Sequence, residues 1–501
     1  MRVFLGVHLP HLPLDVCRPR QPAPPEPGPG CAVLEQGVVL LADAAARAAG
    51  VRAGMKRGGV LTLAPDTRLL ERDPAREADA LREVALALLR FSPCVTLQDE
   101  ATLLVEIGAS LRLFGGLPAL CRAARAALAT LGYSARVSAA PTGGGAWLLA
   151  RIGYRQAGAR PQPVRRVLCG PSLERALAVL PCALLPAARP FAGWFDGLGC
   201  RTLADLRRLP RAELQRRCGT ALVAALDRAH GQAAEVFEWL PVPPVFDARV
   251  ELPERVEHAQ AVLFVGRRLI VQLGGWLSAR QLSLAAMRFQ LEHERGRHAV
   301  PPTPLELAFA EPVRDEAHFV RVLGERLARV QLPAAVVAVR LTVSRVVEAG
   351  PPPDDLFPEP GGTPADRARL LELLSARLGA HNVLRPAPVD DYRPEIANRW
   401  LPFGAQAAKP GEPAHQPPRP AWLLAEPLPL LVRDERPVYR TPLSLASAAE
   451  RIESGWFDGR GIARDYFVAQ DAEGACYWIY RDRLSSAAGA EQRWFLHGLF
   501  G

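Results

Sequence analysis

Over the first residues the apolar positions recur with period two. Val3, Leu5, Val7 and Leu9 fall on one side, and Phe4, Gly6 and His8 on the other. Both sides carry apolar groups, so the segment predicts a first strand buried on two faces, ending in a glycine and an imidazole. ATLLVEI (101–107) and YSARVSAA (133–140) read as further strands. Between strands the period changes to that of a helix. Asp73-Pro74 has the form of an N-cap followed by a first-turn proline, with Leu81, Val84 and Leu88 at helical spacing; Leu120, Leu128 and Leu131 mark a second helix stopping at Gly132. Apolar CAVLEQGVVLLAD (31–43) and an Ala-rich helical turn closed by Gly50 lie between the first strand and these helices. Strands separated by helices across residues 1–178 predict an α/β or α+β domain.

The pattern changes twice more. Residues 179–240 read as short helical pieces. Residues 241–348 combine a helix over Val262–Leu277 with strands in which Met287, Phe289 and Leu291 alternate with Arg288, Gln290 and Glu292, and Val337, Val339, Leu341 and Val343 with Ala338, Arg340, Thr342 and Ser344. Such a sheet is packed on one face and wet, partly basic, on the other. GPPPDDLFPEPGG makes 349–362 a linker, and 401–420 has linker composition too. In the C-terminal region, 363–501, a helix runs from Pro364 to Leu378, and residues 437–501 form an aromatic-rich, β-containing unit with Trp456, Trp478 and Trp494 in its core. The whole is an α+β multidomain chain.

Composition narrows the chemistry. No apolar run approaches the roughly 18 to 20 residues of a membrane span, and the start lacks the basic region and cleavage site of a signal peptide, so a soluble, cytoplasmic protein with no membrane partner is expected. The nine cysteines form no C-x-x-C pair, which signals neither a disulfide framework nor a zinc ribbon. His8 and His11 are separated from any cysteine or carboxylate cluster, and Pro10 and Pro13 break the helix that would align them; no metal site or cofactor is signalled. The formal charge of +9 suits a polyanionic partner such as nucleic acid.

The opening strand resembles the first motif of the Y-family translesion DNA polymerases, in which two aspartates, an aromatic pair and Val-Glu follow at fixed spacing. Laid on this chain, the aspartates fall on Gly6 and His8, the aromatic pair on Pro10 and His11, and Val-Glu on Leu14-Asp15. Two-metal phosphoryl transfer needs carboxylate oxygens to hold Mg²⁺ ions about 3.5 to 4 Å apart, and glycine offers none. Other landmarks follow in order. AAARAAGVRAGM resembles the fingers segment, with Arg47 at the triphosphate-contacting arginine and Ala44 where a tyrosine is expected; SAAPTGGGAWLLAR resembles the segment of a phosphate-contacting lysine, with Arg151 in its place. QDEATLLVEIGASLRLFGG holds both Asp99-Glu100-Ala101 and an Arg-Leu-Phe-Gly turn (112–115). Counting back from that turn puts the catalytic pair on Ala101 and Thr102, with Asp99 and Glu100 two residues early. An even offset keeps the strand face, so Asp99 and Glu100 either approach the cleft or stand at a solvated strand start, the second being favoured. WFDGLGCRTLADLRRL (194–209) has the form of a helix-hairpin-helix: Gly197 and Gly199 let backbone amides approach a phosphate, Thr202 caps the next helix, and Arg201 lies alongside. Its position matches the thumb of the same family. Arg288 and Arg340, alternating with core residues, are expected to face DNA.

The resemblance implies a palm and fingers over 1–178, a thumb over 179–240 and a little finger over 241–348. GVHLPHLPLDV, RPEIANRW (393–400), SGWFDGRGIARDYFVAQDAEGACYWIYRDR (454–483) and RWFLHGLFG (493–501) resemble, within that family, the ImuB branch, whose members have lost catalytic carboxylates. What that branch implies is a DNA-binding adaptor in damage-induced mutagenesis and the SOS response, with no catalytic residue of its own. Its implied partners are DNA, the β sliding clamp, a RecA-like ImuA and an error-prone C-family polymerase. PDDLF (353–357) resembles the clamp-binding form Gln-x-x-Leu-Phe: Leu356 and Phe357 match, Asp354 and Asp355 fill the variable positions, and Pro353 replaces the glutamine. Two rival readings are an active translesion polymerase using Asp99 and Glu100, with Asp15 as the nearest substitute for the missing aspartate, and a stand-alone DNA-binding protein.

Overall fold

The first strand, β1 (Phe4–His8), is the third of four in an antiparallel sheet. Its companions are α1 (Pro74–Leu88), β2 (Val95–Gln98), β3 (Thr102–Glu106), α2 (Leu117–Thr130), β4 (Arg136–Ala140) and α3 (Gly143–Arg151), and the sheet order is β2-β3-β1-β4. The two-sided burial predicted for β1 has two partners. Val3, Leu5 and Val7 pack with Val84, Leu88, Leu120 and Leu128 of α1 and α2. Phe4, with Leu104 and Ala140, packs against α3 and the helices that follow it. Asp73 caps α1 by accepting from the Arg76 amide, with Pro74 in the first turn as its sequence implied. In this computed structural model the described residues are 2–17, 29–152, 165–294, 300–350, 364–403, 405, 418–484 and 493–500. The chain divides into two units, Met1–Leu373 and Leu374–Gly501.

Within the first unit, the segment after β1 forms a hairpin, Cys31–Glu35 with Val38–Ala42, joined in parallel by Arg68–Glu71. Two short helices, Ala44–Ala48 and Arg57–Leu63, pack against this small sheet. The helical pieces then include α4 (Ala192–Gly197), α5 (Leu203–Arg208), α6 (Arg211–Cys218) and α7 (Thr220–His230). Their apolar residues, among them Phe195, Leu206, Leu222 and Leu226, share one cluster with Leu148 and Leu149 of α3.

The segment expected to form a third domain comprises β5 (Asp247–Val256), α8 (Val262–Ala279), β6 (Leu282–His293), β7 (Thr303–Val313), α9 (Glu316–Leu327) and β8 (Val336–Glu348), with an antiparallel sheet of order β7-β6-β8-β5, and lies within the first unit. Every residue of α8 from Arg268 to Leu277 is buried, as expected of a helix packed on more than one side. One side lies on α1. Val271 joins the cluster of α1 and α2, and a Cβ added to Gly275 would overlap the Leu86 carbonyl. Buried Arg268 donates to Glu83 Oε2 at 2.9 Å and approaches the Tyr133 hydroxyl at 3.1 Å, while that hydroxyl donates to Glu83 at 2.9 Å. Arg90 pairs with Glu316 at 3.1 Å, extending the contact to the start of α9.

The second unit holds a small hairpin, Leu384–Pro388 with Asn398–Pro402, and an eight-stranded sheet running from Trp422–Arg433 to Trp494–Leu499 in sequence. Its first long strand begins before residue 437, in LLAEPLPLL, where two prolines mask the strand pattern. Tyr466, Trp478, Tyr480 and His497 are buried together, with Tyr466 and Trp478 stacked at 4.0 Å. Trp478 and Trp494 are core residues as expected; Trp456 is not, being 76% exposed. Its loop is tied down instead by Arg393, which bonds Asp391, Asp458 and the Arg460 carbonyl.

Candidate functional site

Gly6 stands opposite Leu104 of β3 and Ser138 of β4, on the face covered by α3. A Cβ there would lie 2.5 Å from the Ala146 carbonyl oxygen and 2.6 Å from Ser138 Oγ. The Ser138 hydroxyl donates to that carbonyl at 2.6 Å. Helix and strand backbones therefore meet at this position, and a carboxylate would be driven against a carbonyl oxygen with no donor to offset its burial. Asp15, the nearest acidic residue in sequence, is buried and accepts from the Ser134 amide at 2.8 Å.

Two residues along the same face, His8 Nδ1 lies 3.1 Å from both the Glu100 carbonyl oxygen and Thr102 Oγ1. Burial, with Arg151 and Arg136 nearby, lowers its pKa to about 4, so the ring is neutral at pH 7. His11 is half-buried ahead of the short helix Leu12–Asp15. Thr102 is buried opposite His8, and Ala101 closes the β2–β3 turn, its carbonyl accepting from the Leu9 amide at 2.9 Å.

That turn places the two acidic side chains differently. Glu100 and Ala101 adopt left-handed backbone angles, φ 58° and 50°. Asp99 stays exposed, its carbonyl accepting from the Trp147 indole at 3.3 Å. Glu100 turns inward between two guanidinium groups: it pairs with Arg151 and, at 2.6 Å, with Arg189 of the 3₁₀ segment Pro186–Phe191. Arg151 also donates to the Leu184 carbonyl at 2.8 Å and stacks 4.0 Å over Trp147. Burial and Arg189 bring Arg151 down to about 10, which leaves it protonated at neutral pH. One inward carboxylate thus faces Arg151 and Arg189, with Arg136 near the neutral histidine. This donor set does not fit a Mg²⁺ pair, which requires several uncompensated oxygens. Among the described residues no group of three or more His, Cys, Asp or Glu could hold a metal ion.

The other positions expected to meet phosphate are dispersed. Arg47 is exposed on Ala44–Ala48, its Nε donating to the Asp43 carbonyl at 3.2 Å. At the hairpin, Gly197 ends α4 and Gly199 has a φ of 70°. The Gly199 and Cys200 amides donate to Asp196 and Phe195, and those of Arg201 and Thr202 donate to Asp205 Oδ2 at 3.1 and 2.9 Å. Thr202 caps α5 as expected, in a reciprocal box with Asp205. These amides are engaged within the hairpin itself, and the Arg201 side chain is exposed beside it. Arg288 and Arg340 face outward, but each is matched by a carboxylate: Arg288 by Glu306 at 2.5 Å, and Arg340 by Asp247 through both guanidinium nitrogens. Arg249 beside them pairs with Glu251 and Glu292. Asp354, Asp355, Leu356 and Phe357 lie outside the described residues.

Two contributors had no sequence signal of role. Arg189 reaches Glu100 across 89 positions of chain. Glu235 caps α3, accepting from the Gly143 and Gly144 amides at 2.7 and 2.6 Å; the run Gly143–Gly145 was a legible sign of close approach there.

The pattern of the impB/mucB/samB family matches residues 23–151. Over 477 residues the chain is 29% identical to Protein ImuB of Caulobacter vibrioides (strain NA1000 / CB15N), covering 90% of this chain and 100% of that protein. The same figures hold for Protein ImuB of Caulobacter vibrioides strain ATCC 19089 / CIP 103742 / CB 15. The chain is a homologue of the Y-family DNA polymerases. Within that class its similarity is to the ImuB type. Among solved structures, a Dbh ternary complex with partially disordered substrates matches at a TM-score of 0.38 and 15% identity, over 69% of this chain and 99% of that one. A Y-family chimera of Dbh and Dpo4 matches at 0.37 and 14%, with the same coverage.

Proposed function

We propose that the chain is a DNA-binding, non-synthesising member of its class that acts in the cytoplasm in damage-induced mutagenesis and translesion synthesis. In this reading it is an adaptor joining the β sliding clamp, a RecA-like ImuA partner and an error-prone C-family polymerase. The observation that supports it best is the packing of α3 on Gly6: the position of the first metal-binding aspartate has no room for a side chain, and Glu100 is engaged by Arg151 and Arg189. DNA binding is supported by charge. The second unit has fifteen basic and fifteen acidic side chains, so the whole formal charge of +9 belongs to residues 1–373.

The deciding experiment is primer extension with Mg²⁺ or Mn²⁺ beside a binding titration of the same labelled primer-template. Binding without extension is expected. Extension that disappears in Asp99→Asn or Glu100→Gln would establish the active-polymerase reading instead. The clamp link is tested with Leu356→Ala plus Phe357→Ala: burying such side chains is worth roughly 1.5 to 3 kcal/mol each, so the double variant is expected to lose a weak interaction with purified clamp. Unchanged clamp affinity would move the contact elsewhere.

A further inference from the structure

The helical segment 182–230 carries a concavity apart from the Gly6 site, reaching only the first residue, Trp194, of the hairpin segment. It measures about 700 Å³ and is lined by Phe191, Gly193, Trp194, Glu213, Arg216 and Arg217, with Pro190 at its edge. That volume lies in the range of small-ligand sites. Its floor is aromatic and fixed from below: Trp194 and Phe191 rest on fully buried Phe195, with ring centroids 5.1 and 6.5 Å away. Its rim is cationic. The Arg217 guanidinium stands 5.3 Å from the Trp194 ring centroid, and Arg216 pairs with Glu213 at 2.5 Å, leaving one net positive charge over an indole. Gly193 adds no side chain, and a Cβ there would meet nothing within 4 Å.

A ligand matching this lining has a planar π surface and a single negative charge attached to it. We propose that the pocket holds one unpaired nucleotide of single-stranded DNA, its base stacked on Trp194 and its phosphodiester against Arg217. Base–aromatic stacking is sequence-tolerant because every base has a π face, and a paired base in a duplex does not present that face. Gly193 and Trp194 of the pocket lie on α4 (Ala192–Gly197), the helix that leads into the hairpin beside Arg201. The proposal rests on the DNA-binding reading above and adds a preference for unpaired strand.

The test is fluorescence anisotropy on the full chain, with a labelled oligothymidylate, the same strand carrying abasic positions, and a blunt duplex of equal length. Stacking of one base changes affinity by roughly 5- to 150-fold. We expect the abasic strand to bind about tenfold more weakly than oligothymidylate. Arg217→Ala and Trp194→Leu should each weaken oligothymidylate binding severalfold while changing duplex binding by less than about twofold. The abasic comparison needs no variant and so stands even if Trp194→Leu perturbs folding. Equal affinity for base-bearing and abasic strands, or equal losses on single strand and duplex, overturns the pocket while leaving DNA binding intact. Failure of the unaltered protein to bind any of the three DNAs overturns the DNA-binding reading itself.

Discussion

At the scale of single residues, Gly6 is a position with no room for a side chain. Strand and helix have closed over the site, and Ala146 is backbone there, so it cannot rotate away. Gly6→Asp is expected to destabilise the first unit by about 3 kcal/mol or more, from overpacking and from an unpaired buried carboxylate. Chemical denaturation followed by amide exchange in β1 would measure this; a stable Gly6→Asp variant with extension activity would refute it. His8 supplies a pH signature. Its folded pKa, about 4, lies below the unfolded value of 6.5. The folded state thus disfavours the proton, and the unfolded chain takes it up first as pH falls. Stability linked to His8 is complete above 6.5 and lost between 6.5 and 4, by up to about 3 kcal/mol. His8→Gln, which keeps a donor toward the Glu100 carbonyl and does not titrate, should flatten stability across that window. An unaltered pH profile in His8→Gln would assign the acid sensitivity to other groups.

At the scale of elements, what the sequence shows depends on whether a side chain's partner is local. The alternation in β1 was legible because both faces are packed, and the caps at Asp73 and Thr202 were legible because a cap and its amide lie within a few residues. Helix α8 was legible as a helix; that it packs on more than one side, with α1 as a partner, was not, since Gly275 meets Leu86 nearly 190 positions away. For the same reason the inward turn of Glu100 toward Arg189, and the pairing of Arg288 with Glu306, escaped a reading by position. Trp456 was misplaced because exposure of its loop depends on the distant Arg393 clamp. The α8–α1 crossing yields its own prediction. Gly275→Val should cost about 2 to 3 kcal/mol through overpacking and should speed amide exchange at Leu86–Arg90 and along α8. The third-domain sheet, whose ladder does not involve Gly275, should stay protected. Faster exchange in the sheet with α1 unchanged would show that the crossing does not fasten the two domains.

At the scale of the whole molecule, charge is divided between the units rather than spread over the chain. Fifteen basic residues balance fifteen acidic ones after residue 373, whereas the first unit carries the entire excess. Within the first unit the excess is not where strand alternation alone would put it. On the outer face of the third-domain sheet, Arg249, Arg288 and Arg340 are matched by Glu251, Glu292, Glu306 and Asp247. Arg201, beside the hairpin, has no such carboxylate among the described residues. A phosphate contact made by an unpaired arginine releases a counterion, and losing it lowers the slope of log affinity against log salt by about one. Arg201→Ala is therefore expected to weaken DNA binding and reduce that slope by about one. Arg288→Ala combined with Glu306→Ala removes a neutral pair and should leave both within about twofold and a few tenths, respectively. Arg399→Ala, an exposed site in the electroneutral second unit, should likewise leave the slope unchanged. Salt titrations of the three variants against one oligonucleotide decide among these outcomes. A slope lowered by the Arg288–Glu306 double variant and untouched by Arg201→Ala would move the DNA path from the hairpin to the third-domain sheet, with its ion pairs opening to receive phosphate.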